Sequence, residues 1–242
     1  MTKIGICDYS DYDYKAEFWL NKNREYEHLL ETQIIETLLN QFVDTKDKIL
    51  DAGCGFGRLI PSYEHLFKKC HLVDYANQLV EQAKENRETN DKFKFYTQSL
   101  YELNIESNVN AIISIRTLHH LQDLNQLFRK YNEALTENGT LILDVPNYYH
   151  LKNKLKHPMR AKEPMTKLSE NFFNYDPSYV IQCLKNNNFE IVTKRQLGMF
   201  RIQLIKRYIP AKLLVSFELF LNFFIKRLDI SPSVYVVARK CG

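Results

Sequence analysis

Apolar residues near the start of the chain recur at helical spacing. Trp19, Tyr26, Leu29, Leu30, Ile34, Ile35, Leu38 and Leu39 predict helices over residues 9–44. The pattern then shortens. Lys48–Ala52 is a short strand followed at once by Gly53-Cys54-Gly55-Phe56-Gly57 and a helical run to Lys68. His71–Asp74 reads as a second strand, Asn77–Arg87 as a polar-faced helix, and Phe93–Tyr96 alternates like a third strand. Ala111–Ile115 is a continuous apolar run, as expected of a strand buried on both faces. Asp123 is placed to cap a helix through Leu135, Asn138-Gly139 makes a turn, and Thr140–Val145 is a fifth strand stopped by Pro146.

Strands alternating with helices imply right-handed crossovers and a parallel sheet, hence an α/β fold. The alternation breaks after Pro146 for Lys/His/Pro-rich text to Tyr175, resumes with a helix (Pro177–Asn186) and a strand (Glu190–Gln196), and breaks again over Met199–Ser231. A last strand covers Val234–Ala238. The chain thus reads as one domain with an N-terminal helical cap (1–45), a core (46–147) and a second half (148–242) carrying two insertions.

The 242 residues are 45% hydrophobic and 26% charged, an ordinary globular balance, and the formal charge of +4 is too small to argue for nucleic acid. Its distribution is uneven. From Lys194 to Lys240 there are ten Lys/Arg and two acids, Glu218 and Asp229. Five scattered cysteines lack metal-ligand spacing, which argues against a disulfide framework or zinc and suits reduced thiols in the cytoplasm. The N-terminus has no apolar signal run, and the longest apolar stretch, Leu213–Ile225, is too short to span a bilayer.

The turn Leu50-Asp51-Ala52-Gly53-Cys54-Gly55-Phe56-Gly57 carries the functional argument. Alternate glycines let the backbone bend sharply after a strand and approach a ligand, and a following helix would offer free N–H groups and a positive dipole end. A dinucleotide fold needs a glycine where this chain has Arg58. LDAGCGFGR, the acid Asp74 in HLVDYANQLVEQAKEN, and IISIRTLHHLQDLNQLFRKYNEALTENGTLILDVPN together resemble class I S-adenosylmethionine-dependent methyltransferases of the small-molecule type, over about two-fifths of the chain. The resemblance implies a Rossmann-like, seven-stranded, mostly parallel sheet with helices on both faces, and S-adenosylmethionine as cofactor.

By that resemblance Asp51 lies under the loop near the methionine end, and the backbone of Ala52, Gly53, Cys54, Gly55 and Gly57 lines the cofactor. Asp74 accepts from both ribose hydroxyls, Tyr75 lies against the adenine, and Ile115 borders the site where strand four ends. Many relatives have an aspartate after strand three. Here Gln98 or Ser99 takes that place, so adenine recognition falls to backbone around Ser99 and Leu100. The bland alternative for Asp74 is an N-cap. Arg24 is a candidate for the methionine carboxylate or, alternatively, for an i,i+3 pair with Glu27.

Methyl transfer from a sulfonium is an in-line displacement that asks mainly for alignment and water exclusion. His119 and His120, just past strand four, are candidate general bases or structural groups; Asp144, ending strand five, is a catalytic candidate or a backbone cap. No acid pairs suggest a metal. The absence of an Asn-Pro-Pro-Tyr motif after strand four argues against methylation of a nucleic-acid base. In the second insertion Glu218, Asn222 and Lys226 form one polar stripe in an otherwise apolar segment. Flanked by Arg201, Lys206, Arg207, Lys212 and Arg227, residues 200–228 suit a lid, a homodimer interface or a peripheral membrane contact. The first insertion adds Lys152, Lys154, Lys156, His157, Arg160 and Lys162. The reading is methyl transfer to O, N or C of a small or lipid-linked metabolite; the rivals are a non-catalytic module retaining the cofactor and a nicotinamide oxidoreductase.

Overall fold

Short apolar runs separated by helices form the parallel half of a sheet: β1 (Lys48–Ala52), β2 (Lys69–Asp74), β3 (Phe93–Thr97), β4 (Val109–Ser114) and β5 (Leu135–Pro146). The computed structural model describes residues 24–242 except 86, 88–90, 158, 160–161, 170–171, 201, 226–227 and 229. The part of the expected N-terminal helices before residue 24, with Trp19, and Arg160, Arg201, Lys226 and Arg227 lie outside the described residues. The remaining strands are β6 (Met165–Ser169) and β7 (Phe172–Tyr175), which pair as a separate hairpin, and β8 (Phe189–Leu197) and β9 (Ser233–Lys240).

The sheet has seven strands in the order β3-β2-β1-β4-β5-β9-β8. Strands β3 to β5 are parallel neighbours, whereas β9 runs antiparallel to both β5 and β8. Alternation along each strand divides the apolar side chains between two cores. On one face Ile49, Leu72, Ile113, Ile142 and Val237 meet α1 (Glu25–Phe42). On the other Leu50, Val73, Ile112, Leu141 and Val236 meet α3 (Leu124–Ala134) and α5 (Pro177–Asn186). Asp123 caps α3 as expected, accepting from Gln126 N–H at 2.9 Å. The polar-faced helix is α2 (Asn77–Lys84).

Three local expectations are corrected. The run after the glycine loop is not an α-helix but a chain of turns with one 3-10 segment, Ile60–Ser62. Pro61 has no N–H to give to the Gly57 carbonyl and its ring crowds that carbonyl, so no continuous helix can pass through. The Asn138-Gly139 turn lies inside β5 rather than before it. Val109 pairs with Leu135 and Ala111 with Thr140, so the intervening residues loop out as a bulge with Asn138 at φ 60°. The first insertion is ordered as α4 (Leu151–Lys156) and the β6–β7 hairpin.

The second insertion forms α6 (Gln203–Tyr208) and α7 (Ala211–Ile225), and α7 packs with its polar stripe inward. Glu218 and Asn222 are buried together with Leu214 and Val215. Asn222 donates to the Gln196 carbonyl and accepts from the Gln196 amide at 3.4 Å, which supplies the edge strand β8 with a side-chain partner. Asn222→Ala should leave those buried backbone groups unpaired and lower stability by about 1–3 kcal/mol, read from the urea midpoint. An unchanged midpoint would show that water replaces the amide without cost.

Candidate functional site

The order of the sheet reverses between β1 and β4: the chain leaves β1 toward β2 and leaves β4 toward β5. The carboxyl ends of β1 and β4 meet at this switch point, where open α/β sheets hold their ligands. The glycine loop lies on one side of it. Gly53 and Cys54 donate their amides to the Val73 carbonyl at 2.8 and 3.0 Å, which pins the loop onto β2. The glycines then differ in purpose. Gly53, at φ 84°, lies so close to Thr117 that a Cβ would come within 2.3 Å of its hydroxyl. Gly55, at φ 53°, faces open space, with nothing within 4 Å of the position a Cβ would take.

Asp74 joins the loop to the end of β2. Its Oδ2 accepts the Gly55 amide at 2.8 Å and its Oδ1 the Ala76 amide at 2.9 Å. Burial raises its pKa from the ordinary carboxylate value, opposed by these amide bonds. With the Tyr75 amide as a third backbone donor, the carboxylate still retains lone-pair capacity for a ligand hydroxyl. Tyr75 follows, half exposed. The Gln98 amide donates to the Asp74 carbonyl at 3.0 Å, which brings the end of β3 to the same edge. Neither side chain considered there mimics an aspartate: Gln98 donates to the Asn104 carbonyl at 3.2 Å, and Ser99 caps its own 3-10 turn by accepting from Tyr101 N–H at 3.3 Å. Leu100 is buried in the core.

Beneath the loop, Asp51 is buried and accepts the Tyr63 hydroxyl at 2.8 Å. Burial pushes its pKa up to about 7, against the Tyr63 bond and Arg58. Cys54 is also buried, and its thiol pKa is driven well above the usual value by burial and by Asp51 and Asp74. Ile115 is buried at the end of β4, its carbonyl accepting from Thr117 Oγ1 at 3.2 Å.

Sequence reasoning missed the group that ties these loops together. Glu31, buried on α1, accepts from Arg58 at 2.5 Å through Oε2 and from Arg116 Nε at 2.7 Å through Oε1. Arg116 sits at φ 57° and donates its amide to Asp144 Oδ1 at 2.6 Å. Asp144 Oδ2 accepts Ser233 Oγ at 3.1 Å. Burial opposes the Arg116 charge, but Glu31 and Asp144 outweigh it and hold its pKa above the ordinary arginine value. Burial raises the Asp144 pKa, and Arg116 opposes that shift. The available signal was a pair of acids, Glu27 and Glu31, one turn apart at positions of α1 that turn out buried.

His119 and His120 stand just past β4 in a 3-10 turn, with ring centroids 4.0 Å apart. Phe172 of β7 lies over both, at 4.5 Å from His119 and 4.9 Å from His120. The Tyr175 hydroxyl bonds the Leu121 carbonyl and anchors the hairpin there. Burial, then His120 and Arg116, lower the His119 pKa well below its usual value. Arg24 lies 3.8 Å from Glu27, the i,i+3 arrangement, and Glu27 is also paired with Lys206 at 2.8 Å.

The Asp51 shift has a direction that can be measured. The folded state keeps a proton up to about pH 7 that the unfolded chain gives up near pH 4, so ionisation inside the fold costs stability across that interval. In ligand-free protein, Asp51→Asn should therefore gain on the wild type as pH rises from about 4 to about 7 and level off above. Urea midpoints measured across pH test this; parallel profiles for the two proteins would show that Asp51 titrates normally.

Residues 23–194 match a family described as a methyltransferase domain. A malonyl-[acyl-carrier protein] O-methyltransferase of Bacillus anthracis is 30% identical over 118 residues, covering 48% of this chain and 44% of that protein. The match thus spans less than half the length of that curated relative. Among solved structures, a S-adenosylmethionine-dependent methyltransferase of Clostridium acetobutylicum aligns with a TM-score of 0.63 at 17% identity, covering 95% of this chain and 96% of that one. The N-methyltransferase NodS of Bradyrhizobium japonicum, in complex with S-adenosyl-L-homocysteine, aligns with a TM-score of 0.59 at 12% identity over 89% and 88% of the two chains. With the family match covering well over half of its residues, the chain belongs to the methyltransferase-domain family.

Proposed function

We propose that the chain is an S-adenosylmethionine-dependent methyltransferase acting on O, N or C of a small or lipid-linked metabolite, with the cofactor held by residues 46–147 and the acceptor by 148–242. The observation that carries this reading is the open side of Gly55 beside the Asp74 carboxylate. A bare peptide group and a carboxylate with spare lone pairs fit the nucleoside half of such a cofactor. The bound cofactor would supply an electrophilic methyl group on a sulfonium with a good leaving group.

The chain's own residues align and shield. Gly53 packed on Thr117 fixes the loop, and Ala52, Cys54 and Gly57 set its course. Tyr75 offers a ring next to Asp74, and the backbone at Ser99 and Leu100 borders the same edge. Asp144 is buried and committed to the Arg116 amide and the Ser233 hydroxyl, so the partly exposed His119 and His120 are the better-placed proton acceptors for an acceptor hydroxyl or amine. His119 and His120 share the 3-10 turn past β4, and Phe172 lies against both rings. Arg24 pairs with Glu27, which favours a structural over a ligand role. The described free thiols suit a cytoplasmic setting, and no described helix is long and apolar enough to cross a membrane. For residues 200–228 the readings are a lid over the acceptor, a homodimer interface and a peripheral membrane contact.

Calorimetry tests the cofactor. S-adenosylhomocysteine should bind and NAD(H) should not; the opposite result sinks the reading in favour of an oxidoreductase. Asp74→Ala should weaken binding by about 1–3 kcal/mol. The glycines should separate: Gly53→Ala, strained and colliding with Thr117, should cost about 2–4 kcal/mol of stability. Gly55→Ala should cost only about 1–2 kcal/mol of stability yet lose most of the binding heat. Equal behaviour of the two variants would remove Gly55 from the ligand surface.

A further inference from the structure

We infer that the outward face of α6 and α7 is a docking surface for an anionic lipid bilayer. Helix α7 is inverted relative to an ordinary surface helix. Its outward residues Leu213, Phe217, Phe220, Phe223 and Phe224 are 51–72% exposed, whereas Glu218 and Asn222 face the protein. Rotation to hide the phenyl rings is blocked by the inward polar bonds. Glu218 accepts the Met199 amide at 3.1 Å, and Asn222 holds the backbone of Gln196 on the edge strand. Turning the helix would break these bonds and expose the edge of β8.

On α6, Leu204 and Tyr208 are likewise 66% and 73% exposed. Charge decides between partners. From residue 202 to 225 the single acid is the buried Glu218, while Arg207 and Lys212 are exposed. Arg201, Lys226 and Arg227 flank the segment in sequence. A two-fold dimer on this face would set one basic rim against the other with no exposed acid from the segment to answer it. A bilayer with anionic head groups accepts both components at once: rings enter the acyl boundary while the cations meet phosphates. This surface does not depend on the methyltransferase reading.

Co-sedimentation of the full chain with phosphatidylcholine vesicles, with and without phosphatidylglycerol, tests it. We expect binding to the mixed vesicles, at least tenfold weaker binding to phosphatidylcholine alone, and release by high salt. Phe220→Asp/Phe224→Asp should abolish sedimentation. Arg207→Gln and Lys212→Gln, on exposed side chains, should each weaken it about fivefold. Urea unfolding confirms that each variant is folded, and the glutamine variants keep the test decisive if the aspartate pair is not. Absence of wild-type binding to mixed vesicles overturns the inference. So does a dimer in sedimentation velocity that Phe220→Asp dissociates, which would assign the face to a second copy.

Discussion

A single carboxylate, Glu31, sits where the parts of the site meet. It reaches from α1 to Arg58 on the glycine loop and to Arg116 at the end of β4. All three side chains are at most 19% exposed. Two buried cations would repel each other and pull the loops apart without an anion between them. Asp144, beneath Arg116, brings the cluster to overall neutrality. Breaking one arm of such a buried pair typically costs about 3–5 kcal/mol, because it leaves a charge uncompensated in a low dielectric. The position of the N-terminal helix, the course of the loop and the left-handed turn at Arg116 are therefore one electrostatic unit.

The far edge of the sheet is held by a different bond. β8 has a neighbour on one side only, and an edge of unpaired backbone invites association. Asn222 answers part of that edge with a side-chain amide, and Glu218 does the same for the turn at Met199. The carboxylate is held at a cost: burial raises its pKa to about 7, partly offset by amides including Met199. Using the polar residues of α7 inward leaves its rings outward. The polarity of that helix thus follows from the need to finish the sheet.

How much of this could be read from the residues depended on whether the cause was local. The glycine loop, Asp74 and the alternation of strands were legible because backbone bending and two-sided burial leave marks within a few residues. Asp123 was legible as a cap for the same reason. Pro61 is a local signal against the helix expected after Gly57. Glu31 was not legible: helical periodicity treats an acid as solvated, and its two arginine partners lie 27 and 85 positions away. The direction of α7 was hidden likewise, since a polar stripe reads the same whether it meets water or the backbone of an edge strand.

The histidines show where the two halves of the chain depend on each other. Phe172 lies tilted against the His119 ring and edge-on to the His120 ring, and it belongs to an insertion rather than to the sheet. The hairpin is anchored through Tyr175 to the Leu121 carbonyl and through Tyr175 to Asn147 by a parallel bridge, so it approaches the switch point from the β5 side. The glycine loop approaches from the β1 side and meets the turn that precedes the histidines at Thr117, against which Gly53 packs and whose hydroxyl donates to the Ala52 carbonyl. On the proposed reading, this separation lets the acceptor end change through the hairpin while the cofactor end stays fixed. The Arg116–Thr117 turn must satisfy both.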